Sequence, residues 1–276
     1  MNDWKQQLVS PAHACFDGLI PQLPAAHFPD CSELNALIDD RHRSGSGVPI
    51  RFVPASELAL RDEISNEPYE SRIFRSGEVA TRERSWHDLF NALAWLAFPG
   101  TKREINRIHG EHLLQRPPER TAPMSRGTTR DVLTLFDESG VLVACADPSL
   151  ADLLTGFQWK DLFWTRRADV ISRMRFFVFG HALHEQALRP YPGLTGKAMI
   201  VDVDASYLQA SLPSQLAVLD AHAAGWFATH PLASTRLLAP LPLLGIPGWD
   251  AVNADAVYYD NAAVFRPGRL RSTVST

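Results

Sequence analysis

The feature that most constrains this chain is the stretch from Trp86 to His112, where two helix-start signals flank one helix-stop signal. Ser85 stands where an N-cap belongs, with Asp88 three residues on, so a helix is expected from Trp86 to Phe98, stopped by Pro99-Gly100. Thr101 and Glu104 form a second capping box, and the helix they open is expected to reach Gln115 before Arg116-Pro117-Pro118 ends it. Two helices joined this tightly are expected to fold back as an antiparallel αα-hairpin, or else to bend sharply.

A helical period of about 100° per residue sorts the first helix into two faces. Trp86, Leu89, Phe90, Leu93, Leu96 and Ala97 share the apolar one; His87, Asp88, Asn91 and Trp95 share the other. A solvated face ordinarily carries Lys and Glu, whereas this one carries groups that bind and orient. On the second helix Lys102, Asn106 and His109 share a face. His87, Asp88 and His109 are therefore candidate acid–base groups, with Asn91, Trp95, Lys102 and Asn106 as candidate ligand-binding groups. The same residues also have a structural account: Asp88 caps its own helix, the histidines tie the pair together, and the asparagines satisfy buried backbone.

A second constellation lies far along the chain. His181 and Glu185 stand four apart at the start of a short helix, just after a predicted strand and Gly180. That spacing places imidazole and carboxylate on one helix face, where they suit a metal pair or an oriented histidine. It is not the HExxH zinc pattern. If the two constellations share a pocket, His87, His109 and His181 are candidate ligands for a divalent ion such as Zn²⁺ or Mn²⁺.

Around these motifs the period predicts an α+β unit, with a helical N-terminal half packed on a small mixed or antiparallel sheet. Residues 1–47 read as a Pro-rich wrapping arm, with an extended segment from Ser10 to Pro29 and a short helix opened by Ser32. Residues 48–267 read as one domain with an internal boundary near 117–127, and 268–276 as a tail. Val48–Val53 and Lys197–Val203 are expected strands, Pro68–Phe74 and Ser214–His230 expected helices. Val132–Phe136 and Val141–Cys145 are expected to pair as a β-hairpin, leaving Asp137 and Glu138 in its turn as minor candidates for carboxylate ligands, with Asp131 before it. Asp147-Pro148 opens a helix. Val170–Phe179 is an expected strand, and Val257–Tyr259 a possible short one.

Composition excludes more than it assigns. A net charge of −4 gives no general pull toward nucleic acid, so Arg166, Arg167, Arg173 and Arg175 read better as a solvated face than as an RNA or nucleotide site. Three cysteines without a CxxC pair argue against a disulfide framework and a zinc ribbon. The start lacks a basic segment followed by an apolar run, and the most apolar tract, Leu237–Trp249, is broken by three prolines, so membrane insertion is not expected and a reducing cytoplasm is. Gly193-Leu-Thr-Gly196-Lys197 fails the phosphate-loop spacing.

The run Trp86-His-Asp-Leu-Phe-Asn-Ala-Leu93, with Trp95, Phe98-Pro99, Lys102, Asn106 and His109, resembles the signature of a bacterial family known as domain of unknown function 3025. Weaker pieces join it: Tyr69-Glu70, Leu133–Glu138, Phe179–Leu183 with Glu185, Leu194–Lys197 and Leu241–Trp249. The resemblance runs from about Val48 to Pro267 and implies one family-length unit, with no activity attached. Function therefore rests on the residues. One reading is an enzyme of hydrolase or lyase type, using His87, Asp88 and His109 with His181 and Glu185. The alternative is a non-catalytic protein that receives a small molecule or peptide in the same groove.

Overall fold

The strand Gly140–Cys145 is buried at all six positions, so both of its faces must be covered. The rest of the chain does this. The computed structural model describes residues 4–62, 67–114 and 128–268; the boundary expected at 117–127 and the tail beyond 268 lie outside the described residues. Along the chain come α1 (Cys31–Asn35), β1 (Arg51–Pro54), α2 (Ala55–Asp62), α3 (Tyr69–Ser76), β2 (Glu78–Thr81), α4 (Trp86–Ala97), α5 (Pro99–Leu114) and α6 (Thr128–Ser139). Then follow β3 (Gly140–Cys145), α7 (Pro148–Thr155), α8 (Arg167–Arg173), β4 (Met174–Val178), α9 (His181–Gln186), β5 (Thr195–Asp202), α10 (Leu212–Thr229) and β6 (Ala239–Pro242).

The central sheet has the order β4-β3-β5-β6, with β3 parallel to β5 and the outer pairs antiparallel. Alternation along β3 splits the core in two. Leu142 and Ala144 join the cluster built with α4, α5 and α10, while Val141, Val143 and Cys145 join one built with α7, Trp159, Phe163, Tyr259 and Phe265. Mixed α+β architecture is thus what the sequence period predicts, with a second covering layer added. β1 and β2 form a separate parallel pair. No helix among the described residues is long and apolar enough to cross a membrane.

Several local expectations are overturned. The β-hairpin at 132–145 does not form: Thr128–Ser139 is a helix, burying Val132, Leu133 and Phe136 on one face. Those three positions follow a helical i, i+1, i+4 spacing, and burying one face against the sheet outweighs the strand preference of their side chains. The expected strand over Val170–Phe179 is half helix, with α8 running to Arg173 before β4 begins. Val257–Tyr259 lies in a 3₁₀ turn capped by Asp255. A strand forms instead at Ala239–Pro242, where residues two apart point their N–H groups the same way; Pro240 and Pro242 spend their missing donors on the free edge. The N-terminal arm is not extended either. Its 3₁₀ turns bury Trp4, His13, Cys15 and Phe16, with His13 Nδ1 3.2 Å from His184 Nδ1 on α9. Burial lowers the His13 pKa to about 4, so this contact joins uncharged rings. The first short helix is capped by Asp30 and Glu33, two residues earlier than Ser32 would place it.

The helix pair at 86–114 forms, with a different start for its second member. α4 is capped by Ser85 as predicted. α5 begins at Pro99, and its first N–H groups are satisfied from a distance: Gly100 N and Thr101 N donate to the two Asp220 carboxylate oxygens at 2.8 and 2.7 Å. Glu104 instead pairs with Arg107. α5 packs chiefly on α10 and α3. Replacing Asp220 with Ala orphans the fully buried donors at Thr101, and a loss of about 2–3 kcal/mol is expected. Urea unfolding measures it; a change below about 0.5 kcal/mol would mean that α5 does not depend on this cap.

Candidate functional site

Gly180 is the point at which the two halves meet. A Cβ there would sit 2.4–2.5 Å from the backbone of Glu138 and Ser139, so only glycine lets the start of α9 rest on the end of α6. This approach places His181, the first residue of α9, beside Asp137 and Glu138 in the last turn of α6. α9 also packs along α4, which delivers His87. His181 and Glu185, one helical turn apart, then take His87 between them.

The resulting distances define the site. His87 Nδ1 donates to Glu185 Oε2 at 3.0 Å, which directs the other ring nitrogen inward. His87 Nε2 lies 3.0 Å from His181 Nε2, and Glu138 Oε2 is 3.4 Å from the same His181 nitrogen. One ligand atom from each of His87, Glu138 and His181 falls within 4.8 Å of the others. His181 Nδ1 is buried, makes no hydrogen bond, and looks toward Asp137 Oδ2 at 3.6 Å. Burial lowers the His181 pKa to about 4 despite the Asp137 charge, so its ring is neutral near pH 7. Two imidazole lone pairs 3.0 Å apart repel unless a proton or a cation lies between them.

Charge decides which is better suited. Asp137, Glu138 and Glu185 bring three carboxylates; Lys102 brings one ammonium. Burial and the Asp137 charge raise the Glu138 pKa, as expected of a carboxylate short of positive partners. Asp137 behaves oppositely. Burial works against its ionised form, but Lys102, with Nζ 2.6 Å from Oδ1, outweighs that and holds its pKa below the usual range.

The cluster opens on a cavity of about 790 Å³. His87, Glu138 and His181 line it, as do Tyr69, Asp88, Asn91, His109 and Arg130. The His87 and His181 motifs, 94 residues apart in sequence, therefore share one pocket. His109 lines the same cavity but stands outside the cluster; Glu138 takes the place expected for it. Asp88 is committed to Arg82, which bonds both its oxygens at 2.8–2.9 Å. Burial opposes ionisation of Asp88, and the Arg82 donors outweigh it and hold the pKa low, which suits a structural carboxylate better than a proton acceptor.

The four expected ligand-binding residues separate in the same way. Asn91 lines the cavity and links Lys102 Nζ to the Tyr69 hydroxyl. Lys102 is buried beneath it, and its ammonium lies 5.3 Å from the Trp95 ring centroid. Trp95 itself is core. Asn106 holds Gly45 N and Glu70, fixing the loop at 44–47. The arginines of the second half are spoken for: Arg166 and Arg173 by Asp147 and Asp169, Arg167 by Asn253, Arg175 by backbone carbonyls. Glu138 was legible only as a turn carboxylate; helical spacing at Val132, Leu133 and Phe136 is the signal that would have put it at a helix end.

Fold and site together define an α+β protein with a two-histidine, one-carboxylate cluster lining a cavity. Residues 50–269 match the family model described as Protein of unknown function (DUF3025), and the chain belongs to that family. No match was found among curated proteins or among solved structures.

Two substitutions test how the site is held. Gly180→Ala should force α9 off α6, costing about 1–3 kcal/mol of stability by overpacking; an unchanged melting temperature would contradict the close approach. Lys102→Met should cost about 3–5 kcal/mol at pH 7, because it strands the buried Asp137 charge. A carboxylate with a depressed folded pKa stabilises above its unfolded value and loses that contribution as pH falls through the folded one. The gap between wild type and variant should therefore narrow on the acid side of the ordinary Asp range, and denaturant titrations at descending pH would show it. A constant gap would dissociate Asp137 from Lys102.

Proposed function

We propose that this protein is a metal-dependent hydrolase, with a divalent ion held by Nε2 of His87, Nε2 of His181 and Oε2 of Glu138. The observation that carries the proposal is the pairing of roles on each histidine. Both turn Nε2 toward the common point, and each Nδ1 faces a carboxylate, Glu185 for His87 and Asp137 for His181. Backing of a ligating imidazole by a carboxylate is the arrangement that fixes its tautomer and orientation. The spacing fits as well: two nitrogens bound at about 2.1 Å with an angle of about 90–110° lie about 3.0–3.4 Å apart.

Three carboxylates against one ammonium leave a charge that a divalent cation would neutralise. Two imidazoles and a carboxylate form a donor set of intermediate hardness, open to Zn²⁺ or Mn²⁺. An ion with only three protein ligands keeps positions for water and for a substrate oxygen, and its role is to activate that water for attack. The chain's own contribution is positional. Glu185 and Asp137 orient the rings, Lys102 keeps Asp137 ionised, and the Gly180 contact holds both histidines in register.

The test is metal analysis of protein purified without a polyhistidine tag. About one equivalent of Zn or Mn per chain is expected, lost in His87→Ala and His181→Ala while circular dichroism stays native. Hydrolysis of chromogenic ester or phosphoester substrates by the loaded protein should fall at least about 100-fold in Glu138→Ala. A metal-free native protein that also takes up neither ion in calorimetry would overturn the proposal.

A further inference from the structure

The cavity has a second wall, away from the metal cluster, and its donors and acceptors are unequal. Outside the cluster, two of the acids that line it are paired with cations, and Glu70 is hydrogen-bonded at one oxygen. Arg82 holds both oxygens of Asp88, Asn106 Nδ2 donates to Glu70 Oε2, and Lys102 neutralises Asp137. Three of the donors that line it have no carboxylate partner among the described residues.

Tyr69 is the first, and its direction follows from a chain of constraints. Lys102 can only donate, so Asn91 must turn Oδ1 toward it, at 2.9 Å. Asn91 Nδ2 then faces the Tyr69 hydroxyl oxygen and donates to it at 2.8 Å. The phenol accepts from Asn91, which leaves its own proton to be donated into the cavity it lines. Tyr69 is 42% exposed, and a phenol keeps its proton at neutral pH.

His109 is the second. It is 7% exposed, lines the cavity, and makes no hydrogen bond to any described residue. With no hydrogen-bond partner among the described residues, its ring is open to what the cavity receives. Arg130 is the third: an exposed guanidinium on the cavity wall, with no ion pair among the described residues. It stands near the described start of α6, beside Asp131. Burial is what chiefly lowers the His109 pKa; the Glu70 and Asp137 charges oppose it and the Arg130 charge adds to it, so Arg130 and His109 line the same part of the cavity.

We infer that Tyr69, His109 and Arg130 form an anion subsite, and that the substrate is a small molecule carrying a carboxylate or phosphoryl group. This group anchors at the second wall and presents the reacting bond to the cluster of His87, Glu138 and His181. The reactive half of that statement rests on the metal-hydrolase proposal; the subsite itself does not.

The test therefore uses metal-free protein, the His87→Ala/His181→Ala double variant treated with chelator, so that no ion can bind the probe. Calorimetry with inorganic phosphate and, separately, acetate is expected to show saturable binding of at least one, and which one binds assigns the group. Arg130→Ala should weaken it about tenfold and Arg130→Glu should abolish it; Tyr69→Phe, which keeps the ring, should weaken it about threefold or more. Arg130 is exposed, so its variants should keep the native melting temperature. Absence of saturable binding in natively folded protein, or binding indifferent to Arg130→Glu, would overturn the subsite. Phosphate or acetate binding by a chain that never takes up metal would instead overturn only the metal-hydrolase reading.

Discussion

The buried pair of Lys102 and Asp137 is the interaction on which the rest depends. Lys102 comes from α5 and Asp137 from α6; Asn91 of α4 accepts from the same ammonium, and His181 of α9 faces the same carboxylate. Four helices are thus oriented about one charge pair. Removing two ions from water costs several kcal/mol each, so such a pair adds little net stability. It adds specificity, because any other packing of these helices strands one of the charges. The polar face of α4 can then be buried at Asn91 without loss, and Tyr69 and the cavity are set by what Asn91 must do.

Backbone proximity does the rest. Gly180 lets α9 start against the last turn of α6, bringing Glu138 to the same nitrogen of His181 that faces His87. The N-terminal arm braces the far side of α9, since His13 and Phe16 both pack against His184. One short helix of six residues is therefore held by α4, α6 and the arm. Such a helix would not persist by itself; buried His181 and exposed Glu185 are held in place because three neighbours constrain it.

Legibility in the sequence followed the range of the interaction. Ser85 caps α4 within three residues, and Gly77 ends α3 with its φ of 71°; both signals are local and both are readable. The start of α5 looked equally local at Thr101 and Glu104, yet it is satisfied by Asp220 from more than a hundred residues away. The segment at 132–136 carries strand-forming side chains at helical spacing, and burial of one face against the sheet chose the helix.

Read along the chain, the residues specify the α+β class, the helix pair from Trp86 onward, the His181–Glu185 helix and the candidate status of His87. These rest on periodicity and capping, which act between neighbours. Packing is what brings His87 to His181, puts Glu138 and not His109 beside them, and gives Asp88 to Arg82. It also decided that Asn106 serves a loop rather than a ligand. The reason is physical: an imidazole or a carboxylate carries no mark of its partner, and whether it binds, bridges or braces is set by which charges and donors the packing brings within about 3–4 Å.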